Sequence, residues 1–150
     1  MKIVILSKFD FEERMKMFGI TNENVEDKND TFFISIHYNG VKDPYFENRE
    51  NVKVLYFDDC LVKDQYNTPI NEDQAMELLD FIDLHKDKKY CMIHCAAGIS
   101  RSGAVGTFIC DYTDSNFNLF IQDNPQIHPN VLVLNLLKKA VMKKHNLRMY

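Results

Sequence analysis

Tryptophan is absent from this 150-residue chain, and proline and glycine are scarce, at four and five residues. With so few breakers there is no low-complexity stretch, no interdomain linker and no internal repeat. No apolar run approaches the roughly 20 residues a membrane helix needs, which excludes such a span. Met1–Leu6 is too short for the apolar part of a signal peptide and better suits a first strand. Four cysteines in 150 residues are too sparse for a disulfide framework, so reduced thiols and a cytoplasmic location are expected. His37, His85, His94, His128 and His145 lack zinc-type spacing, so no metal is expected, nor any other cofactor. Acid is missing from the end of the chain: none follows Asp123, while Lys138, Lys139, Lys143, Lys144 and Arg148 do. The last 27 residues therefore carry +5 and the first 123 carry −9, which together make the net −4. Such a basic end steers phosphorylated or nucleic-acid ligands, or is a solvated helix face. The aromatic interleaving of single-strand binders is missing.

What is present is ordinary for a globular protein, 45% hydrophobic and 27% charged, and predicts one domain over residues 1–150. After the first strand, Asp10 with Glu13 looks like a cap opening a helix to about Phe18. Asn22 to Asp30 is polar loop. Thr31–Tyr38 reads as a strand closed by the turn signal Asn39-Gly40. Asn51 to Phe57 reads as another, followed by Asp58-Asp59. Asn71 with Gln74 forms a capping box for a helix that turns Ala75, Leu78, Leu79 and Ile82 inward. Tyr90–Ile93 is a short buried strand and Ser102–Tyr112 a helix. A short helix is expected at Asn118–Gln122. The last runs from near Pro129 past Lys143, with Val133, Leu137, Ala140 and Val141 inward. Strands alternating with helices predict an α/β fold with a mainly parallel central sheet flanked by helices. Its ligand would lie beyond the carboxyl ends of the strands.

The chemistry concentrates in His94-Cys95-Ala96-Ala97-Gly98-Ile99-Ser100-Arg101-Ser102. A cysteine and an arginine six positions apart are bridged by mostly small residues, between a strand end and a helix start. Free N–H groups and the positive end of the helix dipole favour an anion there, and successive amides make a concave nest for phosphate oxygens. Gly98 supplies a positive φ or a close backbone approach. Arg101 grips two oxygens with its planar fork, which lysine cannot do. Helix N-termini and nearby cations lower a thiol pKa, so Cys95 is the candidate nucleophile. His94 is placed to bond the loop backbone, and Ser102 to donate to the sulfur.

This string matches His-Cys-X5-Arg-Ser/Thr, so the chain resembles the cysteine-dependent protein tyrosine phosphatase superfamily. The resemblance implies a phosphocysteine mechanism on Cys95, Arg101 and Ser102, with Ala96, Ala97, Gly98, Ile99, Ser100 and Arg101 as the phosphate-binding loop. It implies the compact dual-specificity phosphatase fold, with phosphorylated proteins as partners. Without tryptophan there is no Trp-Pro-Asp acid loop. The chain is also far shorter than the tyrosine-specific domains and lacks their phosphotyrosine-recognition and glutamine-bearing loops. It is similar instead to small dual-specificity enzymes of the bacterial and phage kind, with a shallow pocket. Asn130, in Ile127-His128-Pro129-Asn130, sits where those enzymes carry a Pro-Asn segment before the final helix. Roughly Lys53 to Lys144 aligns in kind. A loop with Ala96 and Ala97 in place of lysine disfavours phosphoinositides.

The resemblance also demands a general acid on a loop after a strand, some thirty-odd residues before the cysteine. Asp59 lies 36 and Asp58 lies 37 residues before Cys95. The apolar-X-apolar-X-Asp pattern fits Asp59 better, with Asp58 the alternative. Asp64, 31 before Cys95, has the setting of an exposed loop. Cys60 either forms a reversible disulfide with Cys95 or, like Cys91 and Cys110, packs as a small core residue. A monomer is expected. Two other functions fit less well: an RNA 5′-triphosphatase of the same superfamily, and a non-catalytic phosphate-binding module. An arsenate-reductase type, with its loop near the N-terminus, is contradicted by the position of Cys95.

Overall fold

Period-2 alternation along three strands builds two cores on opposite faces of one sheet. The computed structural model describes residues 1–146. In chain order these hold β1 (Lys2–Ser7), α1 (Lys8–Met17), β2 (Thr31–His37), β3 (Val52–Tyr56) and α2 (Glu72–His85), then β4 (Tyr90–Cys95), α3 (Arg101–Tyr112), α4 (Phe117–Asp123) and α5 (Val131–Lys144). All strand pairs are parallel, in the order β1-β4-β2-β3. On β2, Phe32, Ile34 and Ile36 face the core that holds Ala75, Leu78, Leu79 and Ile82 of α2, with Val133, Leu137 and Ala140 of α5. Phe33 faces the other way, into a smaller core with Phe11 and Met15 of α1 and Val52 and Val54 of β3. The side-chain period of a strand is what sorts them.

The chain passes from β1 through α1 to β2, and from β3 through α2 back to β4 between them. The carboxyl end of β4 is therefore the point where the winding reverses, the usual ligand crevice of an open parallel sheet. Cys95 is its last residue.

The Asn71–Gln74 capping box forms in both directions. At α1 the expected cap is wrong. Helix α1 starts at Lys8, and the Ser7 hydroxyl, not the Asp10 carboxylate, accepts the Asp10 N–H at 3.1 Å. Asn22 to Asp30 is not all loop, since Val25–Asp27 makes a turn of 3-10 helix. Val141 is only half-buried. The basic end is a solvated helix face, Lys138, Lys139, Lys143 and Lys144 all being exposed. Lys139 pairs with Glu72, and Lys144 with Asp80 and Asp83, so charges of α5 tie it to α2. Arg148 lies outside the described residues. No helix among the described residues is long and apolar enough to cross a membrane.

Small residues bring α3 close to the sheet. A Cβ on Gly106 would lie 2.5 Å from Ile5 Cδ1, and one on Gly103 would lie 3.0 Å from Ile127 Cβ. Asn124, fully buried after α4, accepts the Ile5 N–H at 2.8 Å and donates to the Ile3 carbonyl at 2.8 Å. It thus pairs the free edge of β1, where unmet backbone groups would be costly.

Candidate active site

The loop from Cys95 to Arg101 curls over the junction of β1 and α1. Gly98 has φ +71°, and a Cβ there would lie 2.5 Å from both Leu6 C and Ser7 N. Backbone, not a yielding side chain, bars any larger residue. The curl is fastened by Lys8 N–H to the Ala96 carbonyl at 3.2 Å and Gln126 Nε2 to the Gly98 carbonyl at 3.2 Å. His128 and Asn130 N–H groups donate to the Ile99 and Ser100 carbonyls, each at 3.0 Å. Four loop carbonyls are thereby engaged by neighbours, while the Ile99 and Ser102 N–H groups turn to the Cys95 sulfur. Gly98→Ala is expected to lower thermal stability by more than about 1 kcal/mol and to weaken phosphate-analogue binding together with it. Thermal melts with and without tungstate check this; an unchanged melt would remove the strain argument.

Cys95 is 2% exposed, and its Sγ lies 3.0 Å from Ser102 Oγ. Burial pushes the thiol pKa up. The Ser102 hydroxyl, the Ser102 and Ile99 N–H groups and the Arg101 charge outweigh it, so the pKa is lowered overall. Helix α3 has no side-chain cap and no acid in its first turn, so no side-chain oxygen of its own competes with the sulfur or an anion for its first N–H groups.

Arg101 is 1% exposed. Its Nη1 donates to the Phe57 carbonyl at 2.8 Å, and its guanidinium sits 4.3 Å over the Tyr38 ring. Its Nε has no partner, and no carboxylate among the described residues forms a salt bridge with it. The nearby Asp58 carboxylate and Cys95 thiolate both feel the Arg101 charge and balance part of it without bonding the fork. The arrangement leaves the fork ready for an anion.

The two aspartates separate cleanly. Asp58 is buried and accepts from the Asn39 N–H at 3.1 Å, Asn39 Nδ2 at 3.3 Å and the Thr68 N–H at 2.8 Å. Burial pushes its pKa up, but those bonds and the Arg101 charge outweigh it and lower the pKa overall. Asp58 thus pins the loop through these bonds. Asp59 is exposed and turns to the phosphate loop. Its Oδ1 accepts from Ser100 Oγ at 2.8 Å and Asn130 Nδ2 at 2.9 Å. Asn130 also caps α5, its Oδ1 accepting the Leu132 and Val133 N–H groups. Asp64 is exposed and folded into its own turn, accepting the Tyr66 and Asn67 N–H groups.

His94 is buried beneath the loop with Nδ1 3.4 Å from the Cys95 carbonyl, and its ring packs on Phe11 at 4.4 Å. Burial first, then His37, lower its pKa to about 3, so it is neutral. All four cysteines are free. Cys91 and Cys110 are core residues, as expected, but Cys60 is half-buried outside the core. Burial, followed by Asp58, Asp64 and Asp59, raises its pKa.

Sequence reasoning missed Tyr38, Gln126 and the Ser100–Asp59 bond. The first two act across 63 and 28 residues, the separations of Tyr38 from Arg101 and of Gln126 from Gly98. Nothing local signals either contact.

A parallel sheet with a cysteine loop at its switch point and a helix behind it is the dual-specificity phosphatase fold. The structure of human DUSP28 superposes with a TM-score of 0.54 over 97% of this chain and 95% of that one, at 14% identity. Human tyrosine phosphatase-like serine/threonine/tyrosine-interacting protein aligns over 81% of this chain and 83% of its own, with 20% identity and a TM-score of 0.47. In sequence, MAP kinase phosphatase with leucine-rich repeats protein 2 of Dictyostelium discoideum is 35% identical over 68 residues. That match covers 42% of this chain and 10% of the relative, so the chain spans only a small part of that protein. No protein-family model matches the chain.

Proposed function

We propose that this chain is a cysteine-dependent phosphatase of the small dual-specificity type, hydrolysing phosphate monoesters on proteins through a phosphocysteine intermediate. The single observation that carries the reading is the pairing of a favoured thiolate at Cys95 with the buried guanidinium of Arg101, whose Nε has no partner. A phosphate oxygen accepts from that free N–H, and the phosphorus then lies over the sulfur. The free thiols support a reducing compartment such as the cytoplasm.

In this mechanism Cys95 Sγ forms a bond to phosphorus as the ester oxygen leaves with the proton of Asp59. Amides of Ala96 to Arg101 and the guanidinium hold the equatorial oxygens. Water then attacks the thiophosphate and gives its proton to the Asp59 carboxylate. The S–P bond breaks, and Ser102 Oγ–H donates to the departing thiolate. Asn130 is the positioning residue for Asp59.

Asp59→Asn should lower kcat on poor leaving groups by about 10²–10⁴-fold, with a much smaller loss on p-nitrophenyl phosphate. It should also flatten the limb of the pH–rate profile on which rate falls as pH rises. Asp58→Asn should keep that limb and instead destabilise the fold by about 1–3 kcal/mol, because buried N–H groups lose their acceptor. If Asp58→Asn flattens the limb and Asp59→Asn does not, the acid is misassigned.

The triphosphatase reading drew its support from the basic end. Two of those lysines are engaged with α2 acids, which favours phosphoprotein substrates. A comparison of phosphopeptides with triphosphate-ended RNA as substrates decides between them.

A further inference from the structure

Beside the phosphate loop a groove of about 510 Å³ opens between the first turns of α1 and the end of β2. That volume falls in the range of small-ligand sites, roughly 300–1,000 Å³. Phe9, Tyr38 and Val41 supply apolar surface, His37 lines it from β2, and Ala96 belongs to both groove and loop. Through Ala96 the groove runs on from the seat of the phosphate. What occupies it is therefore attached to the phosphorylated group.

The charge at the groove says what that attachment is. Lys8 lies 3.9 Å from Glu12 and Lys16 lies 4.0 Å from Glu13, and all four line the groove. Two cations matched by two anions leave no surplus to draw a second phosphate. His37 is 3% exposed. Burial, then Lys8 and Arg101, lower its pKa to about 4, so it adds no charge at neutral pH. Phe9 is 73% and Tyr38 48% exposed, a large apolar surface to leave in water beside a site.

We propose that this groove receives an apolar, preferably aromatic, side chain two residues from the phosphorylated residue of a substrate peptide, and so sets sequence preference. The proposal rests on the phosphatase reading above. In an extended peptide side chains alternate in direction and those two residues apart share a face, about 7 Å from one another, so the residue at that spacing points to the same side as the phosphate and reaches past Ala96.

The test uses the Cys95→Ser protein and calorimetric titration with two phosphotyrosine peptides that differ only in having Phe or Ala two residues to either side of the phosphotyrosine. The Phe peptide should bind about 10-fold more tightly or better, as burial of one aromatic side chain allows. Val41→Asp in the same background should erase the difference. Phe9→Asp, at a solvent-facing position, should do the same if Val41→Asp fails to fold. Neither change should alter turnover of p-nitrophenyl phosphate when Cys95 is intact. Equal affinities, a difference that survives both substitutions, or tighter binding of a doubly phosphorylated peptide would overturn the proposal. Absence of p-nitrophenyl phosphate turnover by the unaltered protein would sink the phosphatase reading instead, and the peptide affinities would still decide the groove.

Discussion

Cys95→Ser should reduce turnover of p-nitrophenyl phosphate by at least about 10⁴-fold while leaving phosphopeptide affinity within about threefold of the parent. The size follows from losing the nucleophile outright, which in comparable covalent enzymes forfeits most of the catalysis. The Ser102 hydroxyl, two amides and Arg101 favour a thiolate at this position, but a serine hydroxyl starts far too basic for them to ionise. Retained affinity follows because the loop amides and the guanidinium are untouched, and serine is no larger than cysteine. Steady-state kinetics and calorimetry check the two halves separately. Unchanged turnover would mean that the chain only binds phosphate, or cleaves it by another route.

Arg101→Lys should cost about 10²–10³-fold in kcat/KM, the order seen when a preorganised donor to a developing oxyanion is lost. Charge alone is conserved in that change. What disappears is the planar fork, which here does three things at once. It bonds the Phe57 carbonyl, lies over the Tyr38 ring and leaves Nε unpartnered. A lysine ammonium has the wrong shape for the stack and a single point of charge for two oxygens. Inorganic phosphate should raise the melting temperature of the parent by mass action and that of the variant much less. Equal stabilisation of both proteins, with wild-type kinetics, would remove Arg101 from the mechanism.

The loop was legible in the sequence because its chemistry is local. Nine consecutive residues carry nucleophile, amides, glycine and fork, and the structure places them at the end of β4 against the start of α3. The Asn71–Gln74 box was legible for the same reason. The Asp10–Glu13 spacing mimicked such a box, but Ser7 lies one turn earlier and caps the helix by accepting the Asp10 N–H. The choice between Asp58 and Asp59 needs knowledge of Asn39, Thr68, Ser100 and Asn130, which converge only after folding. That the basic end pairs with α2 was not legible, because its partners lie 64 and 67 residues away. Short-range patterns announce elements and loops, whereas the electrostatic state of a side chain depends on what the topology brings beside it.

The most direct measurement is mass spectrometry of the protein quenched in acid during turnover of an aryl phosphate, with peptide mapping of any phosphoryl adduct. The account expects the adduct on Cys95, more abundant in Asp59→Asn when the leaving group is good, because hydrolysis of the thiophosphate is then slowed. Steady hydrolysis with no adduct on Cys95 at any time point, or an adduct on a different residue, would contradict it.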